Sequence, residues 1–407
     1  MTTTTIDVFG TRVRQARVLR RMTGRAVMDH MGWKGARQTR LEQAESTGMN
    51  PEELTRLAQI LRFPEHFFTT APSSRVDPAS LLFRAPKSTT VAEKDFLAEF
   101  AATAGEFLDN LNTQSQLPPV KLPVLPRGTS PVLAAGQVRD RLGAARDLPI
   151  AYLMYEVERC GVAIIARVRR SRSDSAVDWS AGNDDGPLEK HLGYSTRIGE
   201  FSDRPLIVLR ATDSWERTRW TLAHEVGHLV LHADGVNTED QELEASRFAS
   251  ELLAPADAIA DEVPGVPSLL NLVPLKMKWG ISLGALIRHL FESKLIDSSR
   301  YDMLRRQLYT RVNAQTGHTW GKTEPGWDER EVERPRMLAK WVERCYSATS
   351  ATMLGPHGLI WPPDVLDDLL AGQRSAPGRV AVRSATTTPS GGGNVVDFDR
   401  FRQRRHA

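Results

Sequence analysis

With 407 residues the chain is long enough for about two to three domains and an ample core, and 53 basic against 50 acidic side chains make net charge silent about partners, so any nucleic-acid surface must be local. Two cysteines, Cys160 and Cys345, lie far apart without CxxC spacing, which excludes a disulfide framework or a cysteine-ligated zinc and fits a reducing cytosol. The Met-Thr-Thr-Thr-Thr start is not a basic and apolar signal sequence, and no apolar run approaches a membrane span, so a soluble cytoplasmic protein is expected.

Residues 6–70 read as a compact helical unit. Phe9, Val13 and Ala16 begin one amphipathic helix, Met22–Met31 gives a second stopped by Gly32, and Ala36–Ala44 a third. Asn50-Pro51-Glu52-Glu53 starts a fourth, with a capping Asn, Pro at the first helical position and Leu54, Leu57, Ala58 and Leu61 on the buried face. Two short helices around a Gly-containing turn make a helix-turn-helix pattern. From Thr23 through Gly32 to Arg40-Leu41-Glu42 the segment resembles the XRE (Cro/cI-like) family. The resemblance implies double-stranded DNA as a partner, with Lys34, Arg37 and Arg40 at base edges, Arg25 on phosphate, and paired half-sites that suit a homodimer. Gly24 replaces the family's usual Gln, and Gln38 takes an aliphatic core position. A dimerisation or substrate-docking module is the alternative.

Residues 71–130 read as a connector. Phe96, Phe100, Ala104, Phe107 and Leu111 share one helix face, and the proline-rich run from Leu117 to Pro126 is a semi-rigid spacer. Beyond it, Ser130-Pro131 opens a helix through Leu142, and Ile150–Arg159 makes another. Gly161–Ala166 and Pro205–Ala211 read as strands, and Arg169–Pro187 as an exposed loop. Helices, a small sheet and then two further helices give an α+β arrangement, in which a sheet edge near the site can pair with an extended peptide substrate.

The first of those two helices is Trp220-Thr-Leu-Ala-His224-Glu225-Val-Gly-His228-Leu-Val-Leu-His232, with Asp213 and Glu216 spaced as N-cap and capping-box partner. Leu222, Val226, Leu229 and Val230 form its apolar side. His224 and His228 stand one turn apart, with Cβ atoms about 5–6 Å from each other, so both imidazoles can reach one metal ion. Glu225 beside them can take a proton from water without binding the metal, which is what a zinc hydrolase needs. A short loop, Ala233–Glu239, leads to a second helix, Gln241–Leu253, ended by Pro255. Glu242 shares a face with Ala245, Ala249 and Leu252, and an acidic group on such a face needs a partner, so it is the expected third ligand. Glu244 is the alternative. His232 could be a ligand, a support for one, or a helix-end cation.

The run from Arg219 to His232, followed by Glu242-Leu-Glu-Ala-Ser-Arg-Phe-Ala-Ser-Glu-Leu-Leu-Ala-Pro255, resembles the ImmA/IrrE family of bacterial metallopeptidases over about Pro131 to Leu308. The resemblance implies a zincin-like fold and a Zn2+ ion held by His224, His228 and Glu242, with Glu225 as catalytic base. It also implies site-limited endoproteolysis of a transcriptional regulator that derepresses mobile-element or stress genes. Ser282–Leu295 and Tyr301–Tyr309 read as helices that finish this domain; His289, on the first, reads as structural or surface, with an oxyanion donor as the alternative, because nothing in its spacing ties it to the zinc. Gly321–Pro335 is irregular, Met337–Tyr346 and Pro362–Ala371 are helices, and from Ser375 the chain reads as a disordered tail with a basic end. The expected architecture is an all-α helix-turn-helix domain (1–72), a connector (73–130), an α+β zincin-like metallopeptidase domain (131–310), a helical region (311–372) and the tail (373–407). The rival function is a DNA-binding regulator whose peptidase-like body senses or dimerises without cleaving.

Overall fold

Ser, Thr, Asn or Asp stands just before most of the long helices, turning a side-chain oxygen onto an otherwise unpaired N–H of the first turn. Thr23 accepts from Ala26, Asn50 from Glu52, Thr90 from Glu93 and Ser282 from Ala285. The computed structural model describes residues 5–82, 90–168, 193–233 and 238–373. The expected loop 169–187, part of the loop 233–239 and the basic tail lie outside those residues.

The chain opens with strand β1 (Ile6–Phe9), followed by helices α1 (Gly10–Leu19), α2 (Gly24–Met31) and α3 (Arg37–Gln43). Strand β2 (Ser46–Met49) then leads to α4 (Pro51–Leu61) and α5 (Glu65–Thr69). The all-α expectation for this unit needs correction: β1 and β2 pair antiparallel, Ile6 opposite Met49 and Phe9 opposite Ser46. Phe9 therefore closes a strand and precedes the first helix. Four-residue strands joined only through a long-range pairing leave no periodicity to read.

Helix α6 (Val91–Gln114) follows, then α7 (Pro131–Leu142), α8 (Leu153–Arg159) and three strands, β3 (Ala163–Arg167), β4 (Gly193–Ile198) and β5 (Arg204–Arg210). β5 is central, parallel to β3 and antiparallel to β4. After the sheet come α9 (Trp215–Leu231), α10 (Glu239–Leu253), the short α11 (Ala256–Ile259), α12 (Leu269–Trp279), α13 (Leu283–Glu292) and α14 (Ser298–Thr310). Helices α15 (Met337–Tyr346), α16 (Ala351–Leu354) and α17 (Pro363–Leu370) end the described chain. Among the described residues no helix is long and apolar enough to cross a membrane.

The sheet separates two hydrophobic cores because successive side chains of β5 point to opposite faces. Leu206 and Val208 join a core shared by α1–α6 and α15–α17. Ile207 and Leu209 join the core of α7–α14. Residues 73–130 thus supply α6 to the first core, where Phe107 meets the Trp361 ring edge-on at 5.5 Å. The buried Arg12 of α1 donates to Glu106 of α6 at 2.6 Å, and Arg20 pairs with Asp364 of α17.

One buried ion pair fixes the start of α9. Lys276, fully buried, reaches Glu216 at 2.7 Å and Glu324 at 3.4 Å, and lies 5.1 Å over the Trp215 ring. Removing one partner of such a pair strands the other charge in a dry site, so Glu216→Ala should destabilise the chain by about 3 kcal/mol. Urea unfolding checks this; a loss below about 1 kcal/mol would mean that Glu324 alone neutralises the lysine.

Candidate metal centre

Helix α9 is capped by Ser214 rather than by Asp213: the Ser214 hydroxyl accepts from Arg217 N–H at 3.2 Å and donates to Glu216 at 2.9 Å. Glu216 thus serves the cap's side chain and Lys276 instead of closing a box on Asp213. Leu222, Val226, Leu229 and Val230 face the second core as their spacing requires. Helix α10 begins with a capping box between Thr238 and Gln241. The two helices cross closely at Gly227, where a Cβ would stand 2.9 Å from the Phe248 ring and 3.3 Å from the Ala245 backbone. Ala245, Ala249 and Leu252 are buried in that crossing, and their shared face carries Glu242 against α9.

The crossing brings three donor groups together. His224 Nε2 and His228 Nε2 are 3.1 Å apart, and each lies 3.3 Å from a Glu242 carboxylate oxygen. Ligands held tetrahedrally about 2.0–2.1 Å from a zinc ion sit about 3.3 Å from one another, so the set fits zinc. Glu242 Oε1 is buried, and His228 Nε2, 3.3 Å away, does not complete a well-directed hydrogen bond to it, so a cation would satisfy it. Burial by itself would raise the Glu242 carboxyl, but the His224 and His228 nitrogens outweigh it and hold the group at about 2. Burial keeps His228 below the usual histidine range and therefore neutral, as a ligand must be. The Trp220 ring stacks on His224 with centroids 5.0 Å apart.

Glu225 lies on the sheet side of α9, almost fully buried. Ser195 of β4 donates to its Oε2 at 2.8 Å. Burial pushes the Glu225 carboxyl up to about 8, the Glu242 charge adds to that, and the Ser195 hydrogen bond opposes it. Ser195 escaped the sequence reading because β4 itself did. Its Tyr194, Thr196 and Ile198 do alternate, but this short polar pattern sits after a long Ser- and Asp-rich run.

The other expected residues fall into place separately. Glu244 is not in the cluster; it pairs with His232 at 2.9 Å. His289 lies on α13 in the second core and donates from Nε2 to the Ala254 carbonyl at 2.8 Å, a structural bond. At the other end of the chain, Arg25, Lys34, Arg37 and Arg40 are all exposed on or between α2 and α3. Arg37 is also held by Glu53 at 2.6 Å and lies 5.1 Å over the Trp33 ring. The two departures from the XRE pattern touch each other: Gln38 is buried, donates to Glu42 at 2.6 Å, and has its Cγ 3.5 Å from where a Gly24 Cβ would be.

No curated protein matches the chain. Residues 185–291, which carry β4, β5, α9, α10 and the whole His-Glu cluster, match the peptidase family model Peptidase_M78, described as the IrrE N-terminal-like domain, and this match suggests a zincin-like metallopeptidase.

Proposed function

We propose that the chain is a zinc-dependent endopeptidase that cleaves a transcriptional regulator, and that its N-terminal unit binds DNA and brings the peptidase to an operator or to a repressor of like construction. The observation that carries the peptidase reading is the convergence of His224, His228 and Glu242 beside the buried carboxyl of Glu225. The DNA-binding part is supported by the exposed cations Arg25, Lys34 and Arg40 on one helical unit.

His224, His228 and Glu242 would hold the ion, leaving a fourth position for water. A bound zinc ion supplies Lewis acidity toward that water and toward a peptide carbonyl. Glu225 receives the proton as water attacks and passes it to the leaving amine. Ser195 fixes the carboxylate oxygen that it touches, leaving the other to meet water.

β4 is the antiparallel edge strand beside Glu225, where an extended peptide could add by backbone pairing. Leu82 of this chain holds that place: its N–H donates to the Ser195 carbonyl, and the Ser195 N–H donates to its carbonyl, both at 2.9 Å. A substrate adding there must take its position. Leu82→Pro, which deletes one donor, should therefore raise turnover by about three- to tenfold, the equivalent of one hydrogen bond. Unchanged turnover would place the substrate elsewhere.

The test of the whole reading is a comparison of protein N-termini in native-host cells carrying wild type or Glu225→Gln, under several stresses. A new N-terminus within a transcriptional regulator, seen only with wild type, establishes the peptidase and names its substrate. No Glu225-dependent cleavage, with the variant still restoring normal gene expression, would favour a regulator without proteolysis.

A further inference from the structure

Resting on the metal-binding reading above, we propose that His232 and Glu244 are positioning residues: a carboxylate–imidazole relay that holds His228 in the one tautomer able to bind the ion through Nε2. The atoms are in line for it. His228 Nδ1 is 3.0 Å from His232 Nδ1, and His232 Nε2 is 2.9 Å from Glu244 Oε2. His228 and His232 are buried, and the Glu244 side chain is 42% exposed.

Proton counting fixes the direction. An ionised carboxylate only accepts, so His232 Nε2 carries the hydrogen that points to Glu244. A neutral His232 then has a bare Nδ1, which accepts from His228 Nδ1–H. That leaves the lone pair of His228 on Nε2, the atom that faces His224 and Glu242. The opposite arrangement defeats the site. Were His232 an imidazolium serving the C-terminus of α9, its Nδ1–H would point at His228 Nδ1 and force the His228 proton onto Nε2, between the other two donors. Helix-end cation and ligand support are thus mutually exclusive roles for His232. In the neutral ring Glu244 sets which nitrogen carries the proton, drawing it to Nε2, and its charge strengthens the donor character of the ring beyond it.

The relay is tested on the full chain stripped of metal, with zinc affinity measured by chelator competition and ring tautomers by nitrogen-15 NMR of the zinc-loaded protein. His232→Phe, which keeps a ring but removes the acceptor, should weaken zinc binding by about 10- to 100-fold, and Glu244→Ala by a smaller factor, because water can replace an exposed carboxylate. His232→Asn, whose Oδ1 can accept from His228 Nδ1–H, should recover most of the loss. In the wild type the His232 proton should sit on Nε2 with Nδ1 bare, a readout that a merely structural histidine has no reason to satisfy. A protonated His232 Nδ1 overturns the relay even if His232→Phe fails to fold. So does a wild-type affinity retained within twofold by both His232→Phe and Glu244→Ala. Those results would leave the zinc site standing, whereas a wild type that binds no zinc removes both the relay and the metallopeptidase reading.

Discussion

Glu225→Gln should retain one zinc ion per chain and lose about 10²- to 10⁴-fold in turnover, the contribution of a general base. Glutamine keeps the shape of the side chain, and its carbonyl oxygen can accept the Ser195 hydroxyl that Glu225 accepts at 2.8 Å. What it cannot do is take a proton from water. The loss should therefore fall on kcat, with KM little changed, because the missing interaction forms only as water attacks. His228→Ala should behave oppositely: it removes one of three donors within 3.3 Å of one another and should abolish zinc binding itself. Metal content and turnover of a cleaved substrate separate the two. Zinc at full stoichiometry in His228→Ala would sink the ligand assignment, and normal turnover in Glu225→Gln would sink the base.

The clustering of His224, His228 and Glu242 was legible because helical period fixes side-chain direction. Two histidines four residues apart must share a face, and a loop too short for anything but an antiparallel return presents Glu242 to them. The burial of Ala245, Ala249 and Leu252 around Glu242 follows from the same period. Glu244, two residues on, turns away to His232 instead. The choice between the two carboxylates was open in the sequence, because each shares a face with apolar residues; the crossing at Gly227 brings Glu242 to His224 and His228 and leaves Glu244 with His232.

What could not be read depends on contacts between distant segments. Ser195 reaches Glu225 only because β4 pairs with β5 in a register that sets Ser195 opposite Ile207. Nothing local to Gly193–Ile198 specifies that register, or the seat of Leu82 on the strand's outer edge. The first core is hidden in the same way: α1 and α17 are joined through Arg20 and Asp364, 344 residues apart. Even the cap of α9 falls one residue beyond the expected Asp213. Ser214 prevails over Asp213 because its hydroxyl both accepts from Arg217 and donates to Glu216, which a carboxylate cannot do.

In the metal-free chain Glu225 should cost stability as pH rises, and Glu225→Gln should remove that cost. Burial pushes the folded-state carboxyl up to about 8, whereas in the unfolded chain it titrates near about 4.3. Between those values the folded chain keeps a proton that the unfolded chain has released, so stability falls with rising pH. Below this window both states are protonated, and above it both are ionised and the cost is constant. At about 1.4 kcal/mol per pH unit, the full window amounts to roughly 5 kcal/mol, which water entering beside the carboxylate lowers to about 3–4 kcal/mol. Glutamine mimics the protonated acid in shape and carries no charge at any pH. Chemical denaturation of metal-free wild type and Glu225→Gln should therefore give stabilities within about 1 kcal/mol of each other near pH 5, and an advantage of about 3 kcal/mol for the variant by about pH 8.5. The remaining groups of the site are the same in both proteins, and the Glu242 charge enters the difference only through the Glu225 carboxyl that it helps to raise. A difference that stays flat across this range would mean that Glu225 ionises as an ordinary solvated carboxylate. The base would then meet its water already charged, and Ser195 would be left with no buried carboxyl to restrain.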